Sequence, residues 1–158
     1  MIQYRHTQPG HAVSMSLGIA AVLFTLISGL AAPGDEVFLF SAIMVSVLLL
    51  IWLLFGWLTV TITDTHLLGR FGIGLFRFRI ALSDIESVHE VENRWYMGWG
   101  IHRIRRGWLY NVSGFGAIEI VLKGSRIIRV GSDEPRTLML ALQSCLEAKA
   151  QIARSSKL

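Results

Sequence analysis

Apolar residues run almost unbroken from Val37 to Trp57, and no polar position recurs every third or fourth residue as it would on an amphipathic surface helix. About 20 apolar residues match the roughly 30 Å hydrocarbon core of a bilayer. The pattern predicts a membrane-spanning helix. A second charge-free run, Val13–Ala32, is diluted only by Ser14, Ser16, Thr25 and Ser28. Its small residues Gly18, Ala20, Ala21, Ser28 and Gly29 suit close packing against the other helix. The link Ala32-Pro33-Gly34-Asp35-Glu36 reads as a tight acidic turn, so the expected unit is an antiparallel hairpin over residues 12–58, with helices at 12–32 and 37–57.

From Leu58 the period changes. Thr59-Val60-Thr61-Ile62-Thr63 alternates strictly and is β-branched, which is the pattern of a half-buried strand. The membrane part therefore runs directly into a β domain over residues 59–158. Further strands are expected at 66–71, after a turn at Asp64-Thr65, and at 75–80. In that second strand Phe76, Phe78 and Ile80 would face a core, with Arg77 and Arg79 on the other side. Others are expected near 85–91, 107–112, 117–122 and 126–130. A closing helix at about 134–153 has Ser132 or Asp133 as cap and Pro135 in its first turn. Its apolar face is Leu138, Leu142, Cys145 and Leu146. Residues 1–11, polar and ending in the Pro9-Gly10 breaker, read as a flexible cytoplasmic tail.

Charge adds an orientation. The whole chain has a net charge of +4, and residues 59–158 hold fourteen Lys/Arg against nine Asp/Glu. The link between the two apolar runs has no Lys or Arg. The positive-inside rule then places both termini in the cytoplasm of a multi-pass inner-membrane protein. A secretory signal peptide, with Gly29-x-Ala31 as cleavage pattern, is the competing reading of the first run. Against it stand the length of the run and the single firm positive charge before it. The one cysteine, Cys145, excludes an intramolecular disulfide and a multi-Cys zinc site. It reads as a small apolar residue on a helix face, with a reactive thiol as the minor alternative.

The candidate chemistry is concentrated in residues 94–108, which carry three tryptophans, a tyrosine and four arginines. Trp95, Tyr96, Trp99 and Trp108 suit a membrane–water interface or a protein partner. Arg94, Arg103, Arg105 and Arg106 suit phosphate or an anionic surface. His102 completes the candidate contact set. The alternative is that Ile101, Ile104 and some aromatics are core and the arginines a solvated face. Asn111-Val112-Ser113 matches a glycosylation acceptor, which a cytoplasmic domain would not use. No metal-ligand spacing, nucleophile elbow or phosphate loop occurs, so no catalytic residue, metal or cofactor is assigned. Stacking aromatics beside basic residues nominally suit nucleic acid, but a membrane tether argues against such a partner. Charge-free spans argue against a channel or transporter.

Leu82-Ser83-Asp84-Ile85, Gly98-Trp99-Gly100-Ile101, the run from Gly107 to Gly114 and Asp133-Glu134-Pro135 opening a last helix occur here in the order of a known family. Over roughly residues 58–150 the chain resembles the bacterial pleckstrin-homology-like (PH-like) domain membrane proteins. His102 stands where that resemblance leads one to expect an arginine. The resemblance implies six or seven strands in a strongly bent antiparallel sheet or barrel, one end plugged by the C-terminal helix. The resulting expectation is an α+β, membrane-anchored, non-catalytic interaction module. Its partner would be a protein or a second copy of the chain. An anionic-lipid contact module and a small membrane enzyme built on His66, His89 or His102 are the alternatives.

Overall fold

The computed structural model describes residues 1–31 and 34–155. Its order is β1 (Ile2–Pro9), α1 (His11–Ala31), α2 (Asp35–Phe55), β2 (Trp57–Thr63), β3 (His66–Phe71), β4 (Arg77–Ala81), β5 (Ile85–Glu92), β6 (Gly100–Ile104), β7 (Gly107–Asn111), β8 (Gly116–Leu122), β9 (Arg126–Gly131) and α3 (Pro135–Ser155). Single 3₁₀ turns at Leu82–Asp84 and Trp95–Met97 join β4 to β5 and β5 to β6. The class is α+β: two long apolar helices, β-sheets and a C-terminal helix.

Both α1 and α2 are long and apolar enough to cross a membrane. Each has 21 residues, or about 31 Å at 1.5 Å per residue. They are antiparallel neighbours. Phe24 meets Phe40 at 5.7 Å between ring centroids, and Trp52 Nε1 donates to Ser14 Oγ at 2.9 Å. Gly18 and Gly29 do not tighten this contact, because a Cβ added at either would meet nothing within 4 Å. Ala32 and Pro33 of the expected turn lie outside the described residues.

The N-terminal segment is not a flexible tail. Residues 2–9 form β1, paired antiparallel with β2 from Ile2 opposite Thr63 to Pro9 opposite Trp57. Its inward positions are Tyr4, His6 and Gln8, polar residues that hide the period-two signal by which strands are found. The helical hairpin is thus an insertion between two adjacent strands. The β domain is discontinuous, with β1 before the hairpin and the remaining strands after it.

Among the described residues nine strands make two sheets, in place of the expected six or seven in one bent sheet. The first has the order β1-β2-β3-β4 and the second β5-β8-β9-β7-β6. No closed barrel forms among the described residues. β7 and β9 are parallel, because the β8–β9 hairpin returns to lie against β7. Between the sheets lies a core of Leu58, Ile62, Leu67, Phe71, Ile118, Ile120, Val130 and their neighbours. α3 closes it with Leu138 and Leu142 fully buried and Cys145 and Leu146 against the rim, the face expected from sequence. Ser132 Oγ accepts from the backbone of Glu134 at 3.0 Å just before the helix begins. At full burial each such Leu or Ile is worth about 1.5–3 kcal/mol.

Candidate functional site

The 94–108 segment divides into two parts. Asn93 is anchored by its backbone N–H to the Phe115 carbonyl at 2.7 Å. Beyond it the chain folds back over the outer face of the second sheet. There Met97 Sδ accepts from Arg129 Nη1 at 3.9 Å, and Arg129 Nε holds Glu119 Oε2 at 2.7 Å. Trp95 and Tyr96 are 80% and 60% exposed, and Trp99 is exposed as well. Arg94 lies 6.0 Å over the Tyr96 ring. Gly98 and Gly100, at φ 67 and 113, turn this flap back into β6. His102 Nε2 pins the return, at 2.6 Å from the Trp99 carbonyl.

The other part lies along β6 and β7. Arg103 is opposite Trp108, and Arg105 and Arg106 form the turn at the far end of the pair. That turn is about 13 Å along β7 from Asn111, and Asn111 leads to Ser113, whose carbonyl accepts from Gln8 beside the hairpin. The two parts meet at one cavity, where Met97 of the flap faces Arg105 and Arg106 of the turn. Arg94, Trp95, Tyr96, Trp99 and His102 make up an aromatic flap, while Arg103, Arg105, Arg106 and Trp108 lie along the β6 edge and its turn. Ile101 packs on the core, whereas Ile104, expected there with it, lies three residues on along the strand, on the opposite face, and lines the same cavity with Met97 and Arg129.

A second basic surface lies on the outer face of the first sheet. Strand register places Arg5, Thr61, Leu68 and Arg79 in one row and Thr7, Thr59, Arg70 and Arg77 in the next. The four arginines line a cavity of about 490 Å³, and among the described residues that line it none is acidic. Arg79 Nη2 donates to His66 Nε2 at 2.9 Å. Among the described residues none of these arginines pairs with a carboxylate. The alternation of Arg77 and Arg79 was legible. The contribution of β1 and β3 was not, since it depends on which strands pair.

This face ends at the hairpin. The β3–β4 loop leans on the last turn of α2: Ile73 N–H donates to the Leu53 carbonyl at 3.0 Å, Gly72 N–H donates to the Trp57 carbonyl at 2.8 Å, and Phe76 stacks on Phe55 at 5.0 Å. Ile73, Leu75 and Phe76 remain exposed. The strand expected at 75–80 begins instead at Arg77, because Leu75 and Phe76 belong to this loop.

His66, His89 and His102 sit on three different strands, bonded to Thr65 and Arg79, to Ser87, and to the Trp99 carbonyl. His6 Nε2 meets Asp133 Oδ1 at 2.7 Å and ties β1 to the start of α3. Among the described residues no three His, Cys, Asp or Glu gather as a metal site would require. Burial, with Asp64 adding to it, pushes the Cys145 thiol up and disfavours the reactive thiolate. Burial and the carboxylates of Glu134 and Asp133 push Tyr4 up to about 12. Searched against protein-family models and curated proteins, the chain matches none.

Proposed function

We propose that this chain is a non-catalytic, PH-like interaction module held at the cytoplasmic face of the inner membrane by the α1–α2 hairpin, with both termini cytoplasmic. The observation that carries the reading is the insertion of the hairpin between two paired strands. β1 enters the hairpin and β2 leaves it, so both ends of the hairpin open on the same sheet. Such a domain is fixed in orientation as well as in place.

The exposed apolar surface of both helices supports the anchor, since a contiguous patch of that extent is not tolerated in water. A cleaved signal peptide fits poorly, because cleavage near residue 31 would remove β1 and leave β2 an open edge. The PH-like reading draws support from two packed sheets closed by one C-terminal helix. The parallel β7–β9 pair and the absence of a closed barrel depart from it.

The docking surface for a partner protein is the aromatic flap beside the open β6 edge. Trp and Tyr are enriched in interface cores, and an unpaired edge accepts an added strand. Photo-crosslinking from position 96, which is exposed on the same flap, tests this in intact membranes. A partner captured at fixed stoichiometry, lost in W95A/W99A and retained with R105Q/R106Q, is the expected result. Crosslinks to lipid alone would remove the protein-partner reading.

A further inference from the structure

We infer that the outer face of the first sheet is an anion site for phosphate, supplied by the headgroup of an anionic phospholipid. The inference rests on the membrane anchoring above but concerns a different surface from the flap. Arg70 and Arg77 are direct cross-strand partners. Like charges placed opposite each other in a sheet repel, and Arg79 follows two residues along β4 on the same face. Arg5 closes the group from β1. With no carboxylate among the described lining residues, the fold they form leaves this repulsion uncompensated. Planar guanidinium forks are suited to phosphate oxygens, and Thr61 adds a hydroxyl beside Arg5, while that of Thr59 is paired with Thr7 at 3.0 Å.

Position selects the source of the phosphate. The Arg70–Arg77 row lies two residues, or about 7 Å, from the Pro9–Trp57 pair where the helices begin. The headgroup layer of each leaflet is about 5–7 Å deep beyond the hydrocarbon. The apolar loop tip at Ile73 and Leu75 sits beside the end of α2, so the arginine face rises directly from the lipid surface. The Arg5–Arg79 row stands about 7 Å farther out, where a projecting phosphate would meet it.

The test titrates short-chain phosphatidylglycerol or phosphatidylcholine into the full chain in neutral detergent and follows thermal unfolding. Phosphatidylglycerol is expected to raise Tm in a salt-sensitive way, and phosphatidylcholine is not. Arg70→Gln and Arg77→Gln should each weaken the effect about fivefold. The same variants should unfold no earlier than the parent without lipid, because a repulsion has been removed; this separates lost binding from lost folding. Arg105→Gln/Arg106→Gln should bind as the parent does. Equal responses to both lipids, or a preference that survives R70Q/R77Q, would overturn the site. A response to inorganic pyrophosphate without one to phosphatidylglycerol would overturn the lipid source. Release of the chain from membranes by alkaline carbonate would refute the anchoring separately, before this experiment is reached.

Discussion

Gly10 donates its backbone N–H to the Gly56 carbonyl at 2.7 Å, and this bond closes the neck of the helical hairpin. Residues 11–55 leave and re-enter one sheet through that neck, so strand pairing and helix pairing hold each other. The neighbouring contact is tighter still. Gly72, at φ +43, lies where an added Cβ would stand 2.0 Å from the Leu53 carbonyl oxygen. Gly72→Ala adds a left-handed strain to a backbone clash, and its expected cost is about 1–3 kcal/mol or more. Thermal unfolding of the full chain should show it, together with a change in Trp57 fluorescence at the neck. An unchanged Tm would mean that the loop does not seat on α2 as described.

The core between the sheets depends on a similar absence of a side chain. A Cβ at Gly69 would fall 2.0 Å from the Phe78 ring, which lies over the glycine and reaches Tyr110 at 4.3 Å between centroids. Gly69→Ala should therefore displace Phe78 and cost about 1–3 kcal/mol by overpacking. Phe78→Ala alone should cost about 3–5 kcal/mol. Because the two share one space, the double variant should lose less than the sum of the singles. Strict additivity in a double-mutant cycle would contradict the packing.

How far the chain could be read follows from these contacts. The long apolar runs, the alternation of β2 and the buried face of α3 were visible because each buries one side of a regular element, and that side is apolar. β1 was missed because its inward residues are Tyr4, His6 and Gln8, with Gln8 only 3% exposed and bonded to the Ser113 carbonyl. β6 was missed because Gly98 and Gly100 bracket a flap before a five-residue strand. The arginine face was half visible. Arg77 and Arg79 alternate within one strand, but Arg5 and Arg70 join them only through strand pairing, which local periodicity does not encode. The 94–108 cluster was visible in composition but not in shape: its division into a flap and a strand edge follows from the glycine turns at Gly98 and Gly100.

Alkaline titration examines the burial of β1. Tyr4 is pushed up to about 12, first by burial and then by Glu134 and Asp133, and burial also raises Tyr110. In both cases the folded state favours the neutral phenol. The stability this contributes is complete below the unfolded value near 10 and is lost as pH rises through the folded value, about 12 for Tyr4. Absorbance at 295 nm should show a late-titrating fraction that shrinks in Tyr4→Phe. The Tyr4 hydroxyl is buried with no hydrogen-bond partner among the described residues. Tyr4→Phe should therefore leave stability at pH 7 unchanged or raise it, by up to about 1 kcal/mol. A clear loss at pH 7 would show that the hydroxyl has a partner and would remove this account of the shift.

The flap makes the last prediction, because a charge pair underlies it. The Arg129 and Glu119 side chains are only 22% and 19% exposed, and Met97 packs onto the Arg129 guanidinium. Glu119→Gln keeps the shape of the side chain and removes its charge. Arg129 is then left half-buried beneath the flap without a counter-ion, at an expected cost of about 1–3 kcal/mol. Arg129 would turn toward water and take the Met97 contact with it. Hydrogen exchange across residues 94–99 should accelerate in Glu119→Gln, while exchange in the distant β2–β3 pair stays as in the parent. Crosslinking from position 96 should fall in the same variant, because the flap no longer presents Trp95 and Trp99 in one place. If exchange in 94–99 is unaltered, the flap is held by its glycine turns and the His102–Trp99 bond alone, and the charge pair serves only the sheet.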